Sequence, residues 1–254
     1  MAKKTDPIAV FDSGIGGISV LRELIRQMPQ ENYLYYGDSA NAPYGTRPTQ
    51  EVRALCKHVV EHLLACGIKA LVIACNTATA AAVDQLRRDY PDLIIVGIEP
   101  ALKLAAKRHP GGTVGVIATP VTIREEKFRQ LKERCSQDCT VISLSVPGLA
   151  DLVEEGKANS PESKALLEPL LAPYRNQLDA LVLGCTHYPF AAPTIASVLD
   201  SRTELLDGGE GTARETKHRL KLAGLLSDGP GQVQILSSAD DPEMIQRSWE
   251  LLRG

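Results

Sequence analysis

The sequence predicts an α/β fold with two similar halves, each built around a mainly parallel sheet. Three observations predict it. Apolar runs alternate with segments of helical periodicity along almost the whole chain, most of these runs are continuously apolar, and two of them repeat each other. Continuously apolar strands are typical of parallel sheets covered by helices on both faces, and the alternation is typical of α/β proteins.

Nine runs are predicted to be strands, at 8–11, 33–36, 70–74, 93–97, 113–117, 140–144, 180–183, 203–206 and 232–236. Three of the segments between and after them carry clear helix signals. One helix follows Gly17 and is stopped by Pro29, and a second follows Thr49 and ends at Gly67. The last helix has Asp241 as N-cap, with a proline in its first turn.

The repeat joins a strand to a cysteine in each half. Residues 70–75 read ALVIAC and are followed by Asn-Thr, and residues 180–185 read ALVLGC and are followed by Thr-His, 110 positions later. We therefore expect two pseudo-symmetric α/β domains, with the active site at their interface. The first domain is predicted to comprise residues 1–99 and 208–254, and the second residues 100–207.

Composition narrows the class of protein. The 254 residues carry 28 basic and 31 acidic side chains, and 44% are hydrophobic. A net charge of −3 gives no basic excess for nucleic acid. No apolar run approaches the roughly 18 residues of a membrane span, and no secretory leader is recognisable. We expect a cytoplasmic protein whose thiols are reduced.

Polar residues follow the predicted strands where a ligand would bind. In open α/β sheets, ligands lie at the carboxyl ends of strands. Such ends are followed by Asp12-Ser13, Cys75-Asn76-Thr77, Thr119 and Cys185-Thr186-His187, and Pro43-Tyr44-Gly45 lies in the loop after the second strand. Two matched thiols from two matched strands suit a reaction that moves a proton from one face of a carbon to the other. We expect a helix N-terminus just after each cysteine, where it would favour the thiolate.

Other interpretations of these residues stay open. Each of the two cysteines could be a small buried side chain that ends its strand, and Cys75, Cys185 and His187 have the ligand types of a zinc site. Cys56 and Cys66 are expected in or near the core. Asp12 and Asp38 could be structural caps, and Glu154 a solvated helix end. The glycine-rich turn at 12–17 lacks the third glycine of a dinucleotide fingerprint; we expect its N–H groups to approach a small anion such as a carboxylate.

Four ordered motifs resemble the cofactor-independent aspartate/glutamate racemase family. They are residues 8–17 (IAVFDSGIGG), 36–38 with 43–45 (YGD and PYG), 74–80 (ACNTATA) and 184–189 (GCTHYP), and they span the whole chain. The resemblance implies an isomerase that interconverts L-glutamate and D-glutamate without a cofactor or metal, supplying D-glutamate for peptidoglycan synthesis. It also implies a small-molecule substrate, no nucleic-acid or membrane partner, and leaves a homodimer open.

The resemblance also implies roles for individual residues. Cys75 and Cys185 would be the two acid/base groups, acting on D-glutamate and L-glutamate respectively. Asp12 and His187 would assist them, and Glu154 would be a third assisting carboxylate. The substrate would be bound by Asp12, Ser13, Tyr44, Gly45, Asn76, Thr77, Thr119, Thr122, Thr186 and His187. One departure concerns Thr122, because the loop reads ATPVT at 118–122 without the glycine that the family commonly has before its second threonine.

Two alternatives to this function remain. One is a racemase of aspartate or another acidic amino acid, since the size of the pocket is not readable from the sequence. The other is a thiol-based metal or redox protein, in which Cys75 and Cys185 form a disulfide or hold a metal.

Overall fold

The computed structural model describes residues 2–254 and contains two parallel sheets. The first has the strand order β4-β3-β1-β2-β9 and the second the order β6-β5-β7-β8. The strands of the first sheet are β1 Ile8–Asp12, β2 Tyr33–Gly37, β3 Ala70–Ile73, β4 Ile94–Gly97 and β9 Val233–Ser237. Those of the second are β5 Thr113–Ala118, β6 Thr140–Ser145, β7 Ala180–Leu183 and β8 Glu204–Asp207. All nine predicted strands are confirmed, with bounds that differ by one residue at most.

Helices cover both faces of each sheet. Around the first sheet lie α1 Ile18–Gln27, α2 Thr49–Ala65, α3 Asn76–Asp89, α10 Gly209–Leu222 and α11 Pro242–Arg253. Around the second lie α4 Leu102–Arg108, α5 Pro120–Arg124, α6 Glu126–Cys135, α7 Leu149–Glu154, α8 Pro161–Leu171 and α9 Ala192–Val198. The predicted α/β class with two parallel sheets is therefore confirmed.

Alternate residues of each strand enter different cores, as the two-residue period of a strand requires. In β1, Ala9 and Phe11 pack on the side of α2 and α3, whereas Ile8 and Val10 pack on the side of α1, α10 and α11. The second sheet divides its side chains in the same way between a core with α7–α9 and a core with α4 and α6. Burial of both faces explains why these strands are continuously apolar.

The internal repeat extends to strand order and register. In the first sheet Ile8 pairs with Ala70, which pairs with Ile94 on its other side. In the second sheet Val114 pairs with Ala180, which pairs with Glu204. The two strands that carry the cysteines, β3 and β7, thus occupy the same place in each sheet, next to β1 and β5. The first sheet has β9 as an additional strand, paired with β2.

The chain passes from the first sheet to the second between β4 and β5, and it returns after β8. Helix α10 packs on α1, and β9 and α11 complete the first half. These crossings lie beside the predicted boundaries, and we propose domains of 1–99 with 208–254, and 100–207, on that basis.

The predicted helix signals are largely confirmed. Asp241 caps α11, because its side chain accepts a hydrogen bond from the Met244 N–H. Gly67, just after α2, has a φ of 75°, the left-handed backbone that glycine adopts most easily after a helix. The prediction for Cys66 is wrong. This cysteine is exposed, because it caps the end of α2 beyond the apolar face that buries Cys56.

Candidate active site

A cavity of about 390 Å³ lies between the two halves, at the carboxyl ends of β1, β3, β5 and β7. In each sheet the chain reverses its direction of strand addition at this strand pair, which is the switch point where α/β sheets bind ligands. All predicted substrate and acid/base residues line the cavity except Asp12 and Thr122, and Glu154 lines it as well. The lining residues among them are Ser13, Tyr44, Gly45, Cys75, Asn76, Thr77, Thr119, Glu154, Cys185, Thr186 and His187.

Cys75 lies at the N-terminus of a helix. It is the N-cap of α3, and its Sγ accepts a hydrogen bond from the Ala78 N–H at 3.5 Å. The Ser13 hydroxyl lies 3.7 Å from the same sulfur. Burial nevertheless raises the pKa of the Cys75 thiol well above its usual range, and the charge of Asp12 raises it further. Both effects favour the protonated thiol at Cys75.

Cys185 has a different neighbour. Its Sγ lies 3.6 Å from Nδ1 of His187. The residues after it form a turn and a 3-10 helix at Tyr188–Ala191, and the next α-helix begins only at Ala192. The prediction that a helix N-terminus follows each cysteine is thus wrong for Cys185, because Pro189 and the tight turn delay the helix. The histidine supplies the local positive charge instead.

His187 bridges Cys185 and Glu154. Its Nε2 lies 2.6 Å from Glu154 Oε1. Burial alone would lower the pKa of His187, but the hydrogen bonds and charges of Cys185 and Glu154 outweigh it and hold the pKa well above its ordinary value. Burial likewise opposes ionisation of Glu154, yet the contact with His187 lowers the pKa of this carboxyl. Both directions favour an imidazolium at His187 paired with a carboxylate at Glu154.

Glu154 is also held from the opposite half. The Ile15 N–H donates to Oε1 of Glu154 at 2.9 Å. A Cβ at Gly14 would overlap this carboxylate, and one at Gly16 would overlap the His187 ring. The glycine-rich turn therefore approaches an anion, as predicted, and that anion is a side chain of the other half.

Asp12 lies behind the cavity wall and is fully buried. It accepts hydrogen bonds from the Ser13 hydroxyl at 3.2 Å, the Gly14 N–H at 3.1 Å and the Thr186 hydroxyl at 2.8 Å. Burial raises the pKa of Asp12, although His187 and these donors oppose the rise. It contacts both cysteine loops through Ser13 and Thr186, so a direct contact with substrate stays a prediction.

Hydroxyl groups of both halves meet at the other end of the cavity. Thr77 Oγ1 lies 3.0 Å from Thr119 Oγ1, and Thr122 Oγ1 lies 3.0 Å from Thr119 Oγ1. Thr122 is buried behind Thr119 and does not line the cavity. Beside this cluster, the buried Oδ1 of Asn76 has no hydrogen-bond partner within residues 2–254. A buried amide oxygen without a partner is costly unless a ligand or water satisfies it.

The loop with Tyr44 and Gly45 is fixed by Asp38. The Tyr44 hydroxyl donates to Asp38 Oδ2 at 2.5 Å, and Asn41 Nδ2 donates to the same carboxylate. Asp38 is buried and belongs to this loop rather than capping a helix by its side chain. Because its hydroxyl is engaged, Tyr44 offers the cavity its ring and backbone.

Several lining residues were not predicted. They are Ile15, Ser39, Ala42, Thr46, Pro120, Val146, Pro147, Gly148, Ala150, Asp151, Glu155, Asp241, Met244 and Arg247. Asp241, Met244 and Arg247 belong to α11, whose charge pattern is that of an exposed helix face. Nothing in the sequence distinguishes Arg247 from a surface arginine paired with Glu243 four residues earlier.

The arrangement of the cysteines also tests the zinc-site and disulfide interpretations. No three His, Cys, Asp or Glu side chains between residues 2 and 254 are grouped so that they could hold a metal ion, so the proposed ligands Cys75, Cys185 and His187 do not form a zinc site here. All six cysteines are free thiols. None of the helices in this same span is long and apolar enough to cross a bilayer.

The chain is similar to known proteins in both sequence and fold. A glutamate racemase from Clostridium botulinum is 44% identical over 257 residues and is covered completely, as is this chain. The structure of a glutamate racemase isoform from Bacillus anthracis matches with a TM-score of 0.89 and 31% identity over 99% of this chain and 95% of that one. A Francisella tularensis glutamate racemase, in complex with D-glutamate, matches with a TM-score of 0.86 and 26% identity over the same shares.

The family model of the Asp/Glu/hydantoin racemases matches residues 10–216. This span contains both cysteines, Glu154, His187 and the turns that bring them together. Since the model covers most of the chain, and full-length relatives share its sequence and fold, the protein belongs to the Asp/Glu/hydantoin racemase family.

Proposed function

We propose that the protein interconverts L-glutamate and D-glutamate by proton transfer between two cysteines. The observation that carries this proposal is the pair of matched thiols, with different neighbours, that line one cavity. Cys75 is protonated through burial, whereas Cys185 faces the His187 imidazolium. A two-base reaction needs one group that can accept a proton and one that can give a proton, which is the state described.

The steps follow from this arrangement. The Cys185 thiolate takes the α-proton of L-glutamate, and the Cys75 thiol delivers its proton to the opposite face of the α-carbon. D-glutamate leaves with the thiol and thiolate exchanged, and the reverse reaction starts from that state. His187 and Glu154 support the change of charge at Cys185, and Asp12 and Ser13 support it at Cys75.

The substrate's polar groups have counterparts on the cavity wall. The unpartnered Oδ1 of Asn76 would accept a hydrogen bond from the α-ammonium. A carboxylate would be received by the hydroxyls of Thr77 and Thr119 and by the free N–H groups at the start of α3. Such fixed donors would stabilise the carbanion-like state that forms when the α-proton leaves.

The experiment that tests this function is a substrate panel with chiral chromatography. The purified protein is incubated with each enantiomer of glutamate and aspartate, without added pyridoxal phosphate. We expect glutamate to be racemised from both sides, with a kcat/KM roughly 10- to 200-fold above that of aspartate, the range that one methylene commonly supports. A preference for aspartate would assign the acidic-amino-acid alternative, and no turnover of either would contradict the proposal.

The remaining implications of the resemblance are proposals as well. A cytoplasmic supply of D-glutamate for peptidoglycan would make a bacterium that lacks this protein depend on added D-glutamate. A homodimer would be detected by light scattering on the purified protein.

A further inference from the structure

Arg247 is the only lysine or arginine, among residues 2–254, that lines the cavity. It lies on α11, whose Ile245, Trp249 and Leu252 pack into the core of the first half. The arginine therefore projects from a well-anchored element of that half. Its neighbours along the cavity mouth include the acidic residues Asp151, Glu155 and Asp241.

The guanidinium reaches across to the second half. Arg247 Nη1 donates to the backbone carbonyl of Glu154 at 2.5 Å, and Nη2 lies 3.5 Å from Glu243 on its own helix. Glu154 is the last residue of α7, and the carbonyls of residues 151–153 accept backbone N–H groups from the following turn. Arg247 thus satisfies the next carbonyl at a helix C-terminus, where a cation is favourable.

Glu154 is the residue through which this contact can affect the chemistry. Its carboxylate bonds His187 and the Ile15 N–H, while its carbonyl bonds Arg247. Two of these three contacts come from the first half and are made only while the halves lie together. No corresponding contact leads from Arg247 to Cys75.

We propose that Arg247 is a positioning residue: by holding the Glu154 backbone, it keeps the Glu154 carboxylate on His187 and so keeps His187 on Cys185. This inference rests on the proposed function. The Arg247–Glu154 contact then has two effects at once: it joins the two halves, and it orients the groups next to Cys185. Cys75 is prepared independently by Ser13 and the start of α3.

The direction in which the His187 pKa shifts distinguishes a positioning role of Arg247 from a direct effect of its positive charge. The groups that face the Glu154–His187 pair are Cys185, Asp12, Tyr35 and Arg247. Removing the Arg247 charge without moving Glu154 would make the imidazolium more favourable and raise the His187 pKa. Loss of the 2.6 Å contact with Glu154 would lower the His187 pKa. This effect should be the larger one, because Glu154 contacts His187 directly, whereas the Arg247 side chain is 41% exposed.

The experiment is an NMR titration of the substrate-free protein with ¹³C-labelled histidine, with the His187 signal identified by its absence in His187→Asn. We expect Arg247→Met to shift the His187 titration to lower pH and to reduce kcat/KM about 10- to 100-fold, as small misplacements of catalytic groups do. Arg247→Lys should restore most of both, since an ammonium can also donate to the carbonyl. Arg253→Met is the matched control, because Arg253 stacks on Trp249 on the same helix and does not line the cavity.

An unchanged or upward His187 titration in Arg247→Met would overturn the inference, whatever the activity. Arg247→Gln provides a second variant if Arg247→Met does not fold. Failure of the proposed function is seen separately, as absence of glutamate turnover in the wild type, and does not affect the titration.

Discussion

At the scale of single residues, Cys75 and Cys185 occupy matching positions of the sequence repeat, but their surroundings differ. Cys75 caps a helix and lies against Ser13, whereas Cys185 contacts a histidine that is itself paired with Glu154. The two thiols therefore differ in their charge environment before substrate binds, since only Cys185 lies beside the His187–Glu154 pair. In a symmetric site, this difference would have to arise when substrate binds.

Cys75→Ser and Cys185→Ser should each reduce racemisation by about 10³-fold or more, while similar side-chain volumes preserve the fold. A serine hydroxyl is a far weaker acid than a thiol, so it rarely ionises to accept the α-proton and gives up its own proton poorly. Polarimetry measures the first effect and far-UV circular dichroism the second. Wild-type turnover in either variant would remove that cysteine from the mechanism.

Cys56→Ser should have the opposite effects, lowering stability and leaving activity unchanged. Cys56 is fully buried in the core between α2 and the first sheet and does not line the cavity. A buried hydroxyl in place of a thiol should lower the free energy of unfolding by about 1–3 kcal/mol and leave kcat/KM close to wild type. Urea denaturation with parallel assays checks this, and a stably folded but inactive Cys56→Ser protein would contradict it.

His187 should make stability depend on pH in a particular direction. Its folded-state pKa lies above its ordinary value, so its contribution to stability is complete below about pH 6.5 and is lost as the pH rises through the folded-state pKa. The difference in unfolding free energy between wild type and His187→Asn should therefore shrink as the pH rises above about 6.5. Urea titrations at constant ionic strength measure it; a difference that grows over this range would show that His187 is buried uncharged.

At the scale of elements, the glycine-rich turn lets one half approach the other. Gly14 faces the Glu154 carboxylate and Gly16 faces the His187 ring. These contacts explain why small residues follow β1 better than binding of a phosphate would, since the nearest anion is Glu154 of the same chain.

Gly14→Ala should accordingly displace Glu154 and lower kcat/KM by about 10-fold or more, with a small effect on stability. Gly67→Ala is the matched control, because Gly67 has a φ of 75° and open space around its Cβ position. It should cost about 1 kcal/mol of stability through backbone strain and leave kcat/KM unchanged. Thermal melts and steady-state assays distinguish the two, and equal loss of activity in both variants would contradict the role assigned to Gly14.

Elements were predicted well where local pattern determines them. The nine strands follow from continuous apolar runs, and the ends of α2 and the start of α11 follow from glycine and capping signals. Predictions were wrong where a pattern seen at one residue was assumed to hold at a similar or neighbouring one. The helix expected after Cys185 is delayed by a turn, and Cys66, one residue beyond the end of α2, points to solvent.

At the scale of the whole molecule, the carboxyl ends of the cysteine strands and their neighbours in both sheets meet in one cavity. The repeat and the polar residues after the strands were sufficient to predict this convergence. The roles of Glu154 and Arg247 were not derivable from local sequence, because each depends on a contact between residues that are 33 to 139 positions apart. The motif resemblance pointed to Glu154, and nothing pointed to Arg247.

A buried ion pair outside the cavity lining joins the N-terminal segment to the loop after α10. Lys69 Nζ donates to Glu31 Oε2 and to the carbonyls of Lys4 and Leu225, and Glu31 Oε1 accepts from the Ser227 N–H. Both side chains are fully buried. Lys69→Met should therefore cost about 3–5 kcal/mol, because it leaves Glu31 buried without a partner, and Lys69→Met with Glu31→Leu should recover much of the loss.

Urea denaturation of the two variants measures the recovery, and both should retain the wild-type kcat/KM under folding conditions. A double variant no more stable than Lys69→Met would show that the loss of stability comes from the lost hydrogen bonds of Lys69 to the Lys4 and Leu225 carbonyls, and not from the unpaired charge of Glu31.

The measurement that tests the two-cysteine account most directly is the fate of the α-hydrogen in D₂O. The wild-type protein is incubated with L-glutamate, without added pyridoxal phosphate, and both enantiomers are separated and analysed by mass spectrometry at low conversion. If Cys185 removes the proton and Cys75 delivers another, the D-glutamate formed carries one deuterium at the α-carbon while the remaining L-glutamate keeps its hydrogen. D-glutamate that retains the original hydrogen, or no conversion under reducing conditions, would contradict the account.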